Sequence, residues 1–466
     1  MFEQIGLDRT SVEFAGAAAG TGPLTWGQQA IRQDMRDNRD QFTMWGVTDL
    51  PAGSTVAAAA DLVRGLVVRH DALRSRLCDG GQSQRVAGSG SLDLDIWTLP
   101  AGADAVDLAR CIEHLVATWP LVPFDFHDDW PLRTAVIRQR GACTHLVWAL
   151  SHLAADGMAN MMALRDLRRA MAGELAGDPQ GPQLLDLAAR EQEPSARGLS
   201  ARAMTYWESQ LANIPALTFG EPAGSGDRDR DGHRYWRIGF RSPAADLAIG
   251  AIARRTGTDV SRVTLAVVMA AVARATGVAP LTANVMVSNR FRPGLADVFA
   301  PVAQNSVVTI DPAGVPVDQV VARARAATAT SGMRACYDPG DLARLTARLD
   351  AERGYPARVS FRFNDQRALV RRAGEAAPGG GSADEIGRKL AQTALTWEAP
   401  LDHLHDQVSI VVLNRLDVLS VILRCDLRSL PAAQAEALLR GIEEVAVEAA
   451  ADPSAPSAPA VASSRS

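Results

Sequence analysis

The chain has 466 residues, of which 47% are hydrophobic and 22% charged, and a formal net charge of −5. This is the profile of a globular protein with more than one core, and it excludes a basic field for binding nucleic acid or an anionic membrane. Five scattered cysteines (Cys78, Cys111, Cys143, Cys336 and Cys425) show no C-x-x-C spacing, which argues against a disulfide framework or a structural zinc.

Of the 48 basic residues only Lys389 is a lysine, a bias that, with the many Ala and Gly residues, points to a GC-rich bacterial genome. The opening MFEQIGLDRTSVEF carries charges and no apolar core, unlike a signal peptide. The most apolar run, 263–273, is shorter than the ~20 residues of a membrane span. The expectation is a soluble, cytoplasmic monomer.

In chain order, residues 1–22 read as a flexible lead-in, and an N-terminal half follows over 23–180. A helix is predicted over 57–77, with Leu62, Leu66, Leu73 and Leu77 in helical spacing. Strands are predicted at 91–97 and 132–139, and the apolar run THLVWAL, 144–150, suits a buried strand. SHLAADG then turns the chain into a helix starting at Met158. Residues 181–199, in a stretch rich in Gly, Pro, Asp and Glu, are expected to link this half to a second one over 200–451.

The second half opens with a helix at 200–212 and a polar stretch, GSGDRDRDGH, at 224–233. A strand RYWRIGF follows, then a helix from Ser261, as N-cap, to a stop at Gly277. A strand is predicted at 281–289, a mobile loop at 373–384, the strands VSIVVL and VLSVILRCD, and a helix at 431–450. From Asp452 the Ser, Pro and Ala composition predicts a disordered tail.

The segment richest in chemistry is Ser151-His152-Leu153-Ala154-Ala155-Asp156-Gly157, between a buried strand and a helix. A histidine there can be held rigidly with one ring nitrogen facing a cavity. It is mostly neutral at pH 7, so it can take a proton from an attacking amine or hydroxyl. Asp156 can orient the loop through a buried ion pair, and Gly157 can permit a sharp entry into the helix. A buried histidine beside a helix cap is the plain alternative.

This segment resembles the HHxxxDG signature shared by condensation domains, chloramphenicol acetyltransferase and related acyltransferases. Other segments fall in condensation-domain order. PLTWGQQAI, 23–31, is similar to PLSxxQ, with Gln28 at the Gln position, and RHDALRSRL, 69–77, to RHExLRTRF. FDFHDDWPLRTAVIR, 124–138, is similar to FDLxxGPLLRxxL, and TYWESQLANIP, 205–215, to YWxxxL. VSNRFRPGLADVFAPVAQNSVVTID, 287–311, resembles GRxxPELxxxxGxFVNTLPLR, and RVSFRFND, 358–365, resembles VxFNY.

The resemblance covers about residues 23–450 and implies an α+β fold. Two chloramphenicol-acetyltransferase-like halves would form a V-shaped pseudo-dimer with an active-site tunnel between them. It implies a free-standing condensation enzyme of nonribosomal peptide synthesis acting in trans. Such an enzyme joins an acyl or aminoacyl thioester on a carrier protein's phosphopantetheine to an amine, or a hydroxyl, in making a natural product. No bound cofactor or metal is implied; the partners would be carrier proteins and an acceptor, itself free or carrier-bound.

By position, His152 is the catalytic histidine and Asp156 a structural residue paired with Arg290. Asn305 fits the Asn of the VN pair, and Met158 and Trp397 are further candidates for the tunnel wall. Arg165, Arg168 and Arg169 could form a landing patch for an acidic carrier protein, although a solvated helix face explains them as well. Asp402-His403-Leu404-His405-Asp406 reads as a polar loop before a strand rather than a metal site.

Three departures stand out. Ser151 replaces the first histidine of the signature, Asn289 the Gly of the GR pair, and Gln304 the Val of the VN pair. The last two bear on the acceptor side. The DxxxxD motif of cyclisation domains and the tryptophan of epimerisation domains are not found. Two alternatives stay open: an acyl-CoA-dependent acyltransferase of the same superfamily, and a non-catalytic platform that recruits enzymes to carrier-bound peptides.

Overall fold

Val12 and Phe14 are buried between exposed neighbours, and this alternation makes residues 6–15 a strand, β1 (Gly6–Ala15). The lead-in expected to be flexible is thus ordered from Gly6. Only two of its ten side chains face the core fully, so its period is faint in the sequence. The structure, a computed structural model, describes residues 5–459 except 17, 176–180, 213, 221–229, 370–380 and 416–417. The chain divides into two units, Met1–Gly198 with Ser288–Gln304, and Leu199–Val287 with Asn305–Ser466.

The first unit continues with β2 (Gly20–Pro23), α1 (Trp26–Asn38), β3 (Met44–Asp49), α2 (Val56–Arg69), β4 (Ser75–Cys78), β5 (Ser83–Val86) and β6 (Ser89–Thr98). Then come α3 (Ala105–Thr118), β7 (Leu132–Gln139), β8 (Ala142–Leu150), α4 (Gly157–Met171) and α5 (Leu184–Glu191). The main sheet has the order β1-β6-β7-β8-β3, parallel only between β6 and β7, and β2-β5-β4 form a small antiparallel sheet. Leu146, Trp148 and Leu150 of β8 join the core under α2 and α4, while Val147 and Ala149 join the core under α3. A strand covered on both faces needs apolar residues at every position, which is why 144–150 reads as a continuous run.

One expectation fails in this unit. The helix predicted over 57–77 stops at Arg69, and a short turn over 71–74 leads into β4. The guanidinium of buried Arg74 reaches back to Val67 O at 3.0 Å and Val68 O at 3.4 Å, taking carbonyls that the last turn leaves unpaired. The expected linker, 181–199, holds α5 and the start of α6 (Pro194–Leu211). Leu184, Leu187 and Ala188 give α5 a buried face only one turn long, too short to stand out among polar neighbours.

The second unit contains most of α6, then β9 (Tyr235–Ser242), α7 (Pro243–Thr256), α8 (Val260–Thr276), β10 (Leu281–Val287), β11 (Gln304–Ile310), α9 (Val317–Gly332) and α10 (Pro339–Arg353). It ends with β12 (Phe361–Asp365), α11 (Ala383–Lys389), β13 (Ala394–Leu401), β14 (Val408–Leu413), β15 (Leu419–Asp426) and α12 (Ala432–Ala451). The sheet order is β11-β10-β12-β14-β15-β9-β13, with β12 parallel to both its neighbours. Residues 263–273 of α8 are all buried, as a helix apolar on every side must be. No single helix among the described residues is long and apolar enough to cross a membrane.

The α8 N-cap is Asp259, not Ser261: its carboxylate accepts from Arg262 N–H at 3.1 Å. Residues 373–380 of the expected mobile loop and 224–229 of the polar stretch lie outside the described residues, and Ala383 already begins α11. The tail expected to be disordered is held as far as Ala458. Ser457 is buried, its N–H bonds Val315 O at 2.9 Å, and Arg274 bonds the carbonyls of Pro456 and Ser457 at 2.8 and 2.6 Å. Extended Pro-Ser-Ala backbone carries no periodic signal, yet its carbonyls serve a partly buried arginine.

Candidate active site

Directly after β8 the chain turns sharply. Ala154 and Ala155 donate their N–H groups to Ser151 O at 3.0 and 3.3 Å, and Leu153 N–H reaches Ser151 Oγ at 3.2 Å. Ser151 is wholly buried, so its hydroxyl is part of the turn. The sharp entry expected of Gly157 is made by residues 151–155, and Gly157 is simply the first residue of α4. Met158 follows it in the first helical turn.

His152 sits at the head of this turn. Its Nδ1 is buried and has no hydrogen-bond partner. The ring of Phe42 meets the imidazole edge-on, with centroids 6.4 Å apart and planes at 77°. Burial pushes the imidazole pKa below its ordinary value; the backbone of His152 and Ala155 and the charges of Asp156 and Asp34 pull the other way without cancelling it. The ring is therefore neutral at neutral pH, the form that can accept a proton.

Asp156 faces away from that chemistry. Oδ1 caps α4 through Ala159 N–H at 2.9 Å and accepts from Arg290 Nη2 at 2.7 Å. Oδ2 accepts from the N–H groups of Val302 and Ala303 at 3.1 and 3.3 Å. The Nη atoms of Arg290 also donate to backbone carbonyls, with Val298 O at 2.7 Å and Ala300 O at 3.2 Å, while its buried Nε has no hydrogen-bond partner. The buried pair thus clamps the segment 288–304 onto the first turn of α4, within one unit. Asn289 has φ 58, a left-handed backbone that Gly adopts freely and Asn tolerates. Its buried side chain adds a bond to Val302 O at 3.0 Å. The Gly-to-Asn departure is thus a conformational equivalent.

Several residues of this architecture escape sequence reasoning. A Cβ on Gly27 would overlap Pro301 O, so α1 and the 288–304 segment touch backbone to backbone. Asp166 on α4 is buried and accepts from His70 Nε2 at 2.9 Å, Arg69 Nε at 3.1 Å and Arg165 Nε at 3.0 Å. Burial alone would raise its pKa, but hydrogen bonds from His70 and Arg165 bring it down to about 2. His70 in turn stacks on Phe299 at 4.1 Å. Gly27 and His70 both lie inside segments that carry the family resemblance, which is the only sequence signal for them; Phe42 has none.

The other candidates are placed as follows. Arg165 is committed to Asp166 and, at 3.3 Å, to Asp297, so of the basic trio it is the least available; Arg168 and Arg169 are exposed, and Arg169 bonds Glu174 O at 3.2 Å. Asn305 and Trp397 belong to the second unit. Asn305 has a buried Oδ1 without a partner, while its carbonyl accepts from Tyr337 OH at 2.9 Å. Trp397 is engaged there: Nε1 donates to Glu436 at 2.8 Å, and the ring meets Trp236 edge-on at 5.3 Å. In the 402–406 loop Asp406 pairs with Arg362 at 2.8 Å. No group of three metal-ligating side chains occurs among the described residues.

A buried strand thus ends in a histidine turn, capped by an aspartate that an arginine holds, on a mixed α/β scaffold. The condensation-domain family model matches residues 19–348, and the chain belongs to the condensation-domain family, whose members are acyl and peptidyl transferases working with carrier-protein phosphopantetheine. It is 24% identical over 312 residues, 63% of its length, to the probable non-canonical nonribosomal peptide synthetase CymA of Salinispora arenicola. It is 26% identical over 259 residues, 52% of its length, to nonribosomal peptide synthetase kk1B of Curvularia clavata. It spans only 4% and 2% of those two proteins.

Among solved structures, the condensation domain for chain release from the enacyloxin polyketide synthase superposes with a TM-score of 0.69 at 19% identity, covering 95% of this chain and 85% of that one. SgcC5 from Streptomyces globisporus gives 0.68 at 19% identity, covering 93% and 100%. The α+β, chloramphenicol-acetyltransferase-like fold is therefore shared with condensation domains.

Proposed function

We propose that this protein catalyses condensation in trans, moving an acyl or aminoacyl group from a carrier protein's phosphopantetheine thioester to an amine or hydroxyl acceptor. The observation that carries the reading is His152, a neutral, half-buried imidazole in the turn beyond β8 of a condensation-domain chain. A thioester is already activated, so the enzyme's task is to align two bound molecules, remove a proton and stabilise an oxyanion. The amine nitrogen attacks the thioester carbon, and His152 takes the proton that the nitrogen sheds. The tetrahedral intermediate then collapses to the amide, and the proton leaves with the thiolate as the free thiol of the arm. With Nδ1 buried, Nε2 is the nitrogen assigned to this transfer.

Ser151 in place of a histidine favours a second reading, a non-catalytic platform that recruits enzymes to carrier-bound substrates. Against it, Ser151 closes the turn that holds His152, so the substitution leaves the base supported. Intact-mass analysis of acyl-loaded carrier proteins mixed with amines distinguishes the two. Wild type should unload the carrier into an amide, and His152→Ala should do so about 10²–10⁴-fold more slowly. Carrier binding without unloading by wild type would favour the platform. Matching CoA thioesters used as efficiently as the carrier would indicate an acyl-CoA-dependent transferase.

A further inference from the structure

Phe42 occupies a backbone conformation that a bulky L-residue rarely takes, with φ 49. The chain holds it there from both sides. Arg39 ends α1 in the left-handed region, and Asp40 N–H bonds Met35 O at 3.2 Å. Phe42 N–H bonds Asp40 Oδ1 at 2.9 Å, and the Gln41 amide clamps Phe124 in both directions, to its carbonyl at 3.1 Å and from its N–H at 2.6 Å. Residues kept in sparse backbone regions cluster at functional sites, where the surroundings over-determine them. The ring so fixed packs against the cluster of Leu24, Met35, Leu77 and Leu153 and meets His152 edge-to-face.

We propose that Phe42 is a positioning residue for His152: its ring fixes the plane of the imidazole and keeps water from the side it covers. The inference rests on the reading of His152 as the reacting base. Aromatic pairs at this separation favour edge-to-face geometry, so the contact selects one ring orientation. The charged groups acting on the imidazole are Asp34 on α1 and Asp156 at the start of α4, and both favour its protonated form. Phe42 and its apolar neighbours on β4 and in the 124–126 segment oppose them by excluding water. Removing the ring admits water and tips the balance toward the imidazolium.

The test follows the His152 ring by NMR in imidazole-labelled full-length protein, with His152→Ala to assign its signal. In Phe42→Ala the titration midpoint should rise by about half a unit or more toward the ordinary value of about 6.5. Phe42→Leu should give a smaller rise, and it decides the matter if the alanine variant fails to fold. The acid limb of kcat/KM should move to higher pH by the same amount, since a base works only when unprotonated. An unchanged midpoint in folded Phe42→Ala or Phe42→Leu overturns the proposal. Because the titration needs no turnover, a wild type inactive on every carrier would defeat the condensation reading while the contact stands.

Discussion

Asp156 accepts four hydrogen bonds, one from its own helix and three from the 288–304 segment, and Arg290 donates to the carbonyls of Leu295, Ala296, Val298 and Ala300 as well as to Asp156. Both side chains are more than nine-tenths buried. Removing one partner leaves a buried charge uncompensated, so Asp156→Ala or Arg290→Met should each destabilise by about 3–5 kcal/mol. The double variant leaves no orphaned charge and should lose less than the sum, with a coupling of about 1–3 kcal/mol. Urea unfolding followed by tryptophan fluorescence measures all four proteins; strictly additive losses would mean that the pair does not act as a clamp. His152→Ala breaks no ion pair and should unfold close to wild type, which separates the proposed base from the residues that hold it.

At the scale of elements, the place where α1 meets the 288–304 segment depends on the missing side chain of Gly27, with Pro301 O in the space of a Cβ. Gly27→Ala forces the two backbones apart at a spot where neither can yield by rotating a side chain. The gain in helix propensity, about 1 kcal/mol, should be outweighed, giving a net loss in thermal unfolding. A neutral or stabilising effect would mean that this contact opens freely. Such contacts explain what the sequence reveals and what it hides. β7, β8, α4, β14 and β15 are legible because each buries enough apolar positions at a fixed period. β1, α5 and the 452–459 segment are not, since each is held by a few side chains or by backbone hydrogen bonds. The histidine turn is legible because its residues are contiguous; Arg290 comes only through the family resemblance, and Phe42 not at all, because a contact across 110 positions leaves no local trace.

Over the whole molecule, the order of the chain and the order of its cores differ. Residues 288–304 lie between β10 and β11 of the second unit's sheet, yet they belong to the first unit. Val298, Phe299, Ala300 and Val302 enter the core that contains α2, α4 and the buried side of β8. The linker expected over residues 181–199 follows composition, and composition does not say which core a distant segment joins. The consequence is a dependence of the histidine turn on chain made much later. A fragment of residues 1–198 lacks Arg290, the two N–H donors for Asp156 Oδ2 and four buried apolar side chains. It should form a loose state that binds ANS and melts without a cooperative transition. Joining residues 288–304 to the end of that fragment through a flexible linker restores the missing partners, and cooperative melting should return, since lengthening such a connection costs only about 0.6 kcal/mol per doubling. Cooperative melting of the unextended fragment would show that the first unit's core is sufficient alone and that the segment serves the site without serving the fold.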